Sequence, residues 1–140
     1  MNKFTKNYNE NLHLANTKLR VGECFDMIIK RLTVGGRKGT FYCIDGFVKD
    51  EMFEKMMEYL SKIKPDQLKD ISDADEFTDN YITYIEASTE DDLEKFTTFV
   101  LSGAIGFIME GFSKAIIIDS RTYPARNVEE PESDKVLRGS

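Results

Sequence analysis

AIGFIMEGFSKAIIID, residues 104–119, decides how the rest of the chain is read. AIGFIM and KAIIID are short apolar runs with the Ile-rich character of strands, and EGFS between them is a turn in which Gly111 supplies a positive φ. The stretch therefore reads as a β-hairpin. A helix precedes it: Leu93, Phe96, Thr97, Val100 and Leu101 recur at core spacing, Gly103 closes the element, and Thr89 ahead of Glu90, Asp91 and Asp92 reads as an N-cap with acids in the first turn.

Moving towards the N-terminus, NYITYIEA (80–87) alternates like a strand, and residues 65–79 read as an acidic loop with one helical turn, anchored by Leu68, Ile71 and Phe77. In EMFEKMMEYLSKI, capped by Asp50, the residues Met52, Phe53, Met56, Leu60 and Ile63 form one helical face, and Pro65 lies just past its end. TFYCID (40–45) is apolar on consecutive positions, as in a strand covered on both faces. In residues 19–34, Val21, Cys24, Phe25, Ile28, Ile29 and Leu32 follow a helical stripe, opposite Glu23, Asp26, Lys30 and Arg31, and GGRKG breaks it.

The expected organisation is a flexible leader at 1–18, an α/β domain at 19–120 and an extended charged connector at 121–140. The α/β domain has the order α-β-α-β-α-β-β, with three main helices, a four-stranded mixed sheet and right-handed crossovers.

The chain has 140 residues, 41% hydrophobic and 31% charged, which fits one domain and excludes wholesale disorder. A net charge of −6 argues against nucleic acid as a partner. Cys24 and Cys43 sit in apolar patterns and read as buried thiols. Together with the single His13 they fall short of the four ligands a structural metal site wants. No metal or cofactor is expected. No apolar run is long enough to cross a membrane, and the N-terminus has no signal-peptide core.

Few residues point to chemistry. Gly35, Gly36 and Gly39 follow a predicted helix and precede a strand, the reverse of a phosphate loop. Asp45, Glu86 and Asp119 stand at the ends of predicted strands, where carboxylates can share Mg²⁺ or act as acid and base. The plainer reading is turn formation and strand ending. Met52, Met56, Met57 and Phe53 can form an adaptable groove, but at helical spacing they read as core. No Ser or Cys has a base suited to activating it, so no catalytic residues are assigned. The tail sets Arg121, Arg126, Lys135 and Arg138 against Glu129, Glu130, Glu132 and Asp134, with Pro124 and Pro131 keeping it extended.

LSGAIGFIMEGFSKAIIIDSRTYPARNVEEPESDKVLRGS resembles the junction region of the spore germinant-receptor A-subunit family. The resemblance rests on Leu101 to Gly103, on Gly111 and Phe112, on Arg121 and Arg126 at a slightly wide gap, on Glu129 to Glu132, and on Val136, Arg138 and Gly139. GGRKGTFYCIDGFVKDEMFEKMMEYL is most like its stage V sporulation protein AF branch. The resemblance implies the N-terminal soluble domain of a spore germination membrane protein, with a second soluble subdomain and a membrane domain beyond Ser140. It implies residence in the spore inner membrane, with this domain on the cytoplasmic or core side. It implies no catalysis and no cofactor, and a role in subunit assembly and signal transmission for germination-linked ion or small-molecule release. Partners would be other subunits of a spore membrane complex, with homo-oligomers of the full-length protein. Contact with the membrane would come only through the C-terminal part. Arg121, Arg126, Glu129, Glu130, Glu132 and Arg138 are the expected interface residues. The family pattern assigns no ligand position. Small-ligand (germinant) sensing is the alternative reading, and a Mg²⁺-dependent enzyme using Asp45 and Glu86 a third.

Overall fold

The structure, a computed structural model, describes residues 3–23, 26–83 and 85–119. Cys24 and the whole tail, including the expected interface residues Arg121, Arg126, Glu129, Glu130, Glu132 and Arg138, lie outside the described residues. The described residues form a five-stranded sheet in the order β1-β2-β4-β5-β3, backed by helices on both faces.

The chain enters through α1 (Tyr8–Leu19), in the stretch expected as a leader. Asn7 caps it, its side chain accepting the Glu10 amide at 3.0 Å, and Asn11, Ala15 and Leu19 are buried at a four-residue spacing. Phe4 ahead of it is buried edge-on to Phe96, with ring centroids 5.2 Å apart. The buried stripe is hidden in the Asn- and Lys-rich sequence because one of its three members is the polar Asn11. Its amide and carbonyl clamp the Thr5 backbone at 2.7 and 2.9 Å.

The helix expected over 19–34 is not formed. Val21–Glu23 make one 3-10 turn, and β1 (Met27–Val34) pairs antiparallel with β2 (Arg37–Ile44). Gly35 and Gly36, at φ 56° and 81°, are the two central residues of the turn, the conformation that matches the twist of a two-residue hairpin. Alternation wins over the helical stripe because Ile28, Leu32 and Val34 face one layer while Met27 and Ile29 face the other.

α2 (Asp50–Ser61) follows, with Lys49 rather than Asp50 at the cap position and Asp50 in the first turn. Two helices replace the predicted loop and strand between 65 and 87: α3 (Pro65–Leu68) and α4 (Ala74–Tyr81), the latter capped by Asp73 accepting from the Glu76 amide at 2.8 Å. The strand of this region is instead β3 (Ala87–Glu90). Thr89 therefore lies in a strand, and Asp92 caps α5 (Leu93–Leu101), accepting the Lys95 amide at 3.0 Å. β4 (Ile105–Met109) and β5 (Ala115–Ile118) form the expected hairpin, with Gly111 at φ 89°.

Every neighbouring pair in the sheet is antiparallel, so the expected mixed four-stranded sheet with three helices is replaced, among the described residues, by an antiparallel five-stranded one with five α-helices. β3 and β4 each run opposite to β5, hence parallel to one another with β5 between them, and α5 links them across one face. α2, α3 and α4 cover one side of the sheet around Phe41, Cys43, Phe107 and Ile116, and α1 and α5 cover the other around Tyr42, Ile108 and Ile117. β4 and β5 are buried at every position, which is why their sequences are continuously apolar.

Candidate functional site

The antiparallel register brings the C-terminal ends of β2 and β5 and the N-terminal ends of β3 and β4 to one end of the sheet. Asp45, Glu86 and Asp119 therefore do share an end, though not through the parallel strands expected for them. Asp119 donates its backbone N–H to the Glu86 carbonyl at 2.9 Å, extending the β3–β5 ladder. Asp45 lies beyond β4 on β2, about 9.6 Å away laterally at the usual spacing of two strands. It donates its own N–H to the Asp26 carbonyl at 2.7 Å and bridges to Val48, as a turn residue does. No group of three or more His, Cys, Asp or Glu side chains among the described residues is arranged to hold a metal ion.

At this end lies a cleft of about 280 Å³ lined by Glu86, Ala87, Ser88, Phe99, Ser102, Ala104, Ile117 and Asp119. Three exposed apolar side chains stand around the C-terminal end of α5, of which Phe99 lines the cleft. Phe99 is 41% exposed, Leu101 51% and Phe47, in the β2–α2 loop, 57%. Leu101, expected in the core, faces outward. Phe47 rests on Gly103, whose added Cβ would meet the ring at 3.3 Å, and Ala104 donates to the Phe99 carbonyl at 3.0 Å. The sequence carried the signal for this face: Phe99 and Leu101 lie off the Leu93, Phe96, Thr97, Val100 stripe that α5 buries. Asp119, the last described residue, lines the cleft.

The remaining singled-out residues are structural. Met52 and Met56 are buried and Met57 packs beside them. Phe53 meets Phe41 edge-on at 5.3 Å. Gly39 admits the Phe107 ring, which would stand 2.5 Å from an added Cβ. Burial pushes the Cys43 thiol up to about 11, so it is no nucleophile. Tyr42, also raised by burial, donates to Asn16 Oδ1 at 2.8 Å. His13 stands exposed on α1. On the opposite face Asp75 accepts from Thr89 and from Lys114 Nζ at 2.9 Å. These bonds hold its carboxyl below the usual range and raise Lys114.

The family model of the Bacillus/Clostridium GerA spore germination protein matches residues 15–140. The chain belongs to that family. Among curated relatives, this GerA-family chain is 30% identical over 140 residues to stage V sporulation protein AF of Bacillus subtilis (strain 168). The match takes in 96% of the chain and 27% of the relative. It is 26% identical over 131 residues to the uncharacterized membrane protein YfkQ of the same organism, covering 91% of the chain and 25% of the relative. The chain thus spans about a quarter of the length of these two relatives. The fold resembles the crystal structure of the N-terminal domain of the A subunit of the Bacillus megaterium spore germinant receptor GerK3. The TM-score is 0.67 at 19% identity, over 84% of this chain and 48% of that one. No helix among the described residues is long and apolar enough to cross a membrane.

Proposed function

We propose that this GerA-family domain is a non-catalytic N-terminal module of a spore germination membrane protein, acting in subunit assembly and in passing a signal to the membrane part. The observation that carries the reading is the apolar face at the sheet end. Phe47, Phe99 and Leu101 are all exposed around the C-terminal end of α5, where Phe47 rests on Gly103 and Phe99 lines the cleft together with Asp119, the last described residue. Such a face in water marks a surface that another body covers. The named relatives, a sporulation protein and a membrane protein, are about four times the length of this chain, so a covering body within the same polypeptide is available to them. The domain would lie on the cytoplasmic or core side of the spore inner membrane, with further subunits, or copies of the same protein, as partners.

In this reading the charged run with Arg121, Arg126, Glu129, Glu130, Glu132 and Arg138 fixes the register of that contact, since paired charges select partner and orientation more than they add affinity. The test is assembly of the complete gene product carrying Phe47→Asp with Leu101→Asp, or Glu130→Lys with Arg138→Glu, followed by detergent extraction and size-exclusion chromatography. Loss of the large species with either pair is expected. Wild-type assembly with both pairs overturns the reading.

The cleft favours a second reading, small-ligand sensing, because Glu86, Ser88, Ser102 and Asp119 set polar groups against Phe99 and Ile117 at strand ends. A thermal-shift panel of amino acids, sugars and nucleosides separates the two. A ligand at 100 times its Kd adds about 2.7 kcal/mol, and no shift from any compound leaves assembly standing alone.

A further inference from the structure

β1 is the outer strand of the sheet, bonded to β2 on one side, and eight residues long. The direction of its backbone groups follows from the hairpin. Val34 and Arg37 flank a two-residue turn and so form a hydrogen-bonded pair, and the pattern alternates from there. The Asp45 amide bonding to the Asp26 carbonyl at the far end fits the same phase. Asp26, Ile28, Lys30, Leu32 and Val34 therefore turn their backbone groups inward to β2. Met27, Ile29, Arg31 and Thr33 turn theirs to the open side.

Natural proteins blunt such an edge with charge, and here the charge is of one sign. Lys30 and Arg31 stand exposed at the middle of the strand, one on each face. Two copies of β1 paired antiparallel about their centres would bring these four cations together, which disfavours self-pairing. Along the same edge runs a groove of about 660 Å³ between α1 and the hairpin, lined by Tyr8, Asn9, Leu12, Arg31, Thr33 and Lys38, among others. Arg31, Thr33 and Lys38 share this face, since Thr33 stands opposite Lys38 and Arg31 opposite Thr40. Neither Lys30, Arg31 nor Lys38 pairs with a described acid. Of the carboxylates nearby, Glu10 accepts from the Thr5 hydroxyl and Glu110 from the Lys38 amide. Arg37 is not part of the patch. It donates to the Leu68 and Ile71 carbonyls and lies over the Phe112 ring.

We propose that the β1 edge and the groove beside it form a docking site for an extended acidic segment of a partner protein, added as a sixth strand. Two consecutive acids at the centre of that segment would alternate across the sheet to meet Lys30 on one face and Arg31, with Lys38 behind it, on the other. Apolar residues on either side of them would cover Ile28, Ile29 and Leu32, which are only partly buried. Backbone bonds supply the attachment and the central acids the selection. The site runs along the β1 edge, whereas Phe47 and Leu101 stand around the C-terminal end of α5, and it does not depend on the role given to them.

The experiment uses the 140-residue chain and a fluorescein-labelled peptide with Glu-Glu between two Val-Thr-Ile arms, against a matched peptide with Lys-Lys at the centre. Anisotropy is expected to show binding of the acidic peptide and at least tenfold weaker binding of the basic one. Arg31→Glu and Lys38→Glu should each weaken the acidic peptide several-fold. Thr33→Pro, which removes an outward-facing amide and no bond to β2, should weaken it comparably while the thermal midpoint of the free chain is kept. Hydrogen exchange should slow at the Ile29, Arg31 and Thr33 amides when the peptide is bound. Equal binding of both peptides, or unchanged exchange at those three amides, overturns the proposal. So does concentration-dependent protection without peptide, the mark of a second copy on the edge. Protection in the free chain that Glu129→Lys with Glu130→Lys abolishes also overturns it, because the occupant is then the chain's own acidic run.

Discussion

Phe47 lies against Gly103, so that a methyl group on the glycine would come 3.3 Å from the ring. The glycine holds φ at 111°, a value that side chains rarely adopt, and this lets the end of α5 turn into β4 directly beneath an aromatic ring that is itself 57% exposed. An exposed ring seated on a required glycine is placed by the fold. Gly103→Ala should cost about 1–3 kcal/mol in urea unfolding through backbone strain. Phe47→Ser should stay within about 0.5 kcal/mol of the parent, as a surface change does. A large loss with Phe47→Ser would mean that the ring belongs to the core of the isolated domain.

The packing of α5 on the sheet rests on a second glycine. A Cβ on Gly106 would stand 2.5 Å from the Phe96 ring and 2.8 Å from Val100. Gly106→Ala should destabilise by about 1–3 kcal/mol, the usual cost of overpacking a filled core. Gly106→Ala combined with Phe96→Leu should recover part of that loss, and equilibrium denaturation of the single and double variants measures the coupling.

The Cys43 thiol, raised to about 11 by burial and buried under α2, should be silent in the native chain. In a Cys24→Ser background, a chromogenic disulfide at pH 8 should label Cys43 orders of magnitude more slowly in buffer than in concentrated urea, because the thiolate is both scarce and shielded. Fast labelling in buffer would show that the α2 layer opens readily.

Asp75 ties α4 to Thr89 in β3 and to Lys114 just ahead of β5. These hydrogen bonds chiefly hold its folded pKa below the ordinary carboxylate value, so its contribution is full above the ordinary carboxylate range and is lost as pH falls through the lower folded value. The group is largely exposed, so the effect is small, about 1 kcal/mol or less. Asp75→Asn should be slightly less stable than the parent at neutral pH, and the gap should close in strong acid. A gap that widens on acidification would contradict the assignment.

The elements legible in the sequence were those in which one pattern fits. β4, β5 and their Gly111 turn are apolar on both faces, and α2 and α5 bury clear helical stripes. β1 was obscured because Ile28, Ile29 and Leu32 satisfy both a helical and an alternating template. The deciding feature is Gly35-Gly36, a two-residue turn directly between β1 and β2. α1 and α4 were obscured by polar residues, Asn11 and Thr78, that the fold buries. The three carboxylates did fall at one end of the sheet. The exposed apolar residues there are not legible, because a hydrophobic residue one step off a helical stripe, as Leu101 is, still reads as core.

The most direct test of the central claim is the accessibility of one residue in two contexts. A cysteine in place of Leu101, in a background with Cys24 and Cys43 replaced by serine, is labelled by a maleimide in the 140-residue chain and in the complete gene product in membranes. The account predicts rapid labelling in the chain alone, where Leu101 is 51% exposed, and strong protection in the complete protein. Equal rates in both would mean that nothing covers this face and that assembly through it is wrong.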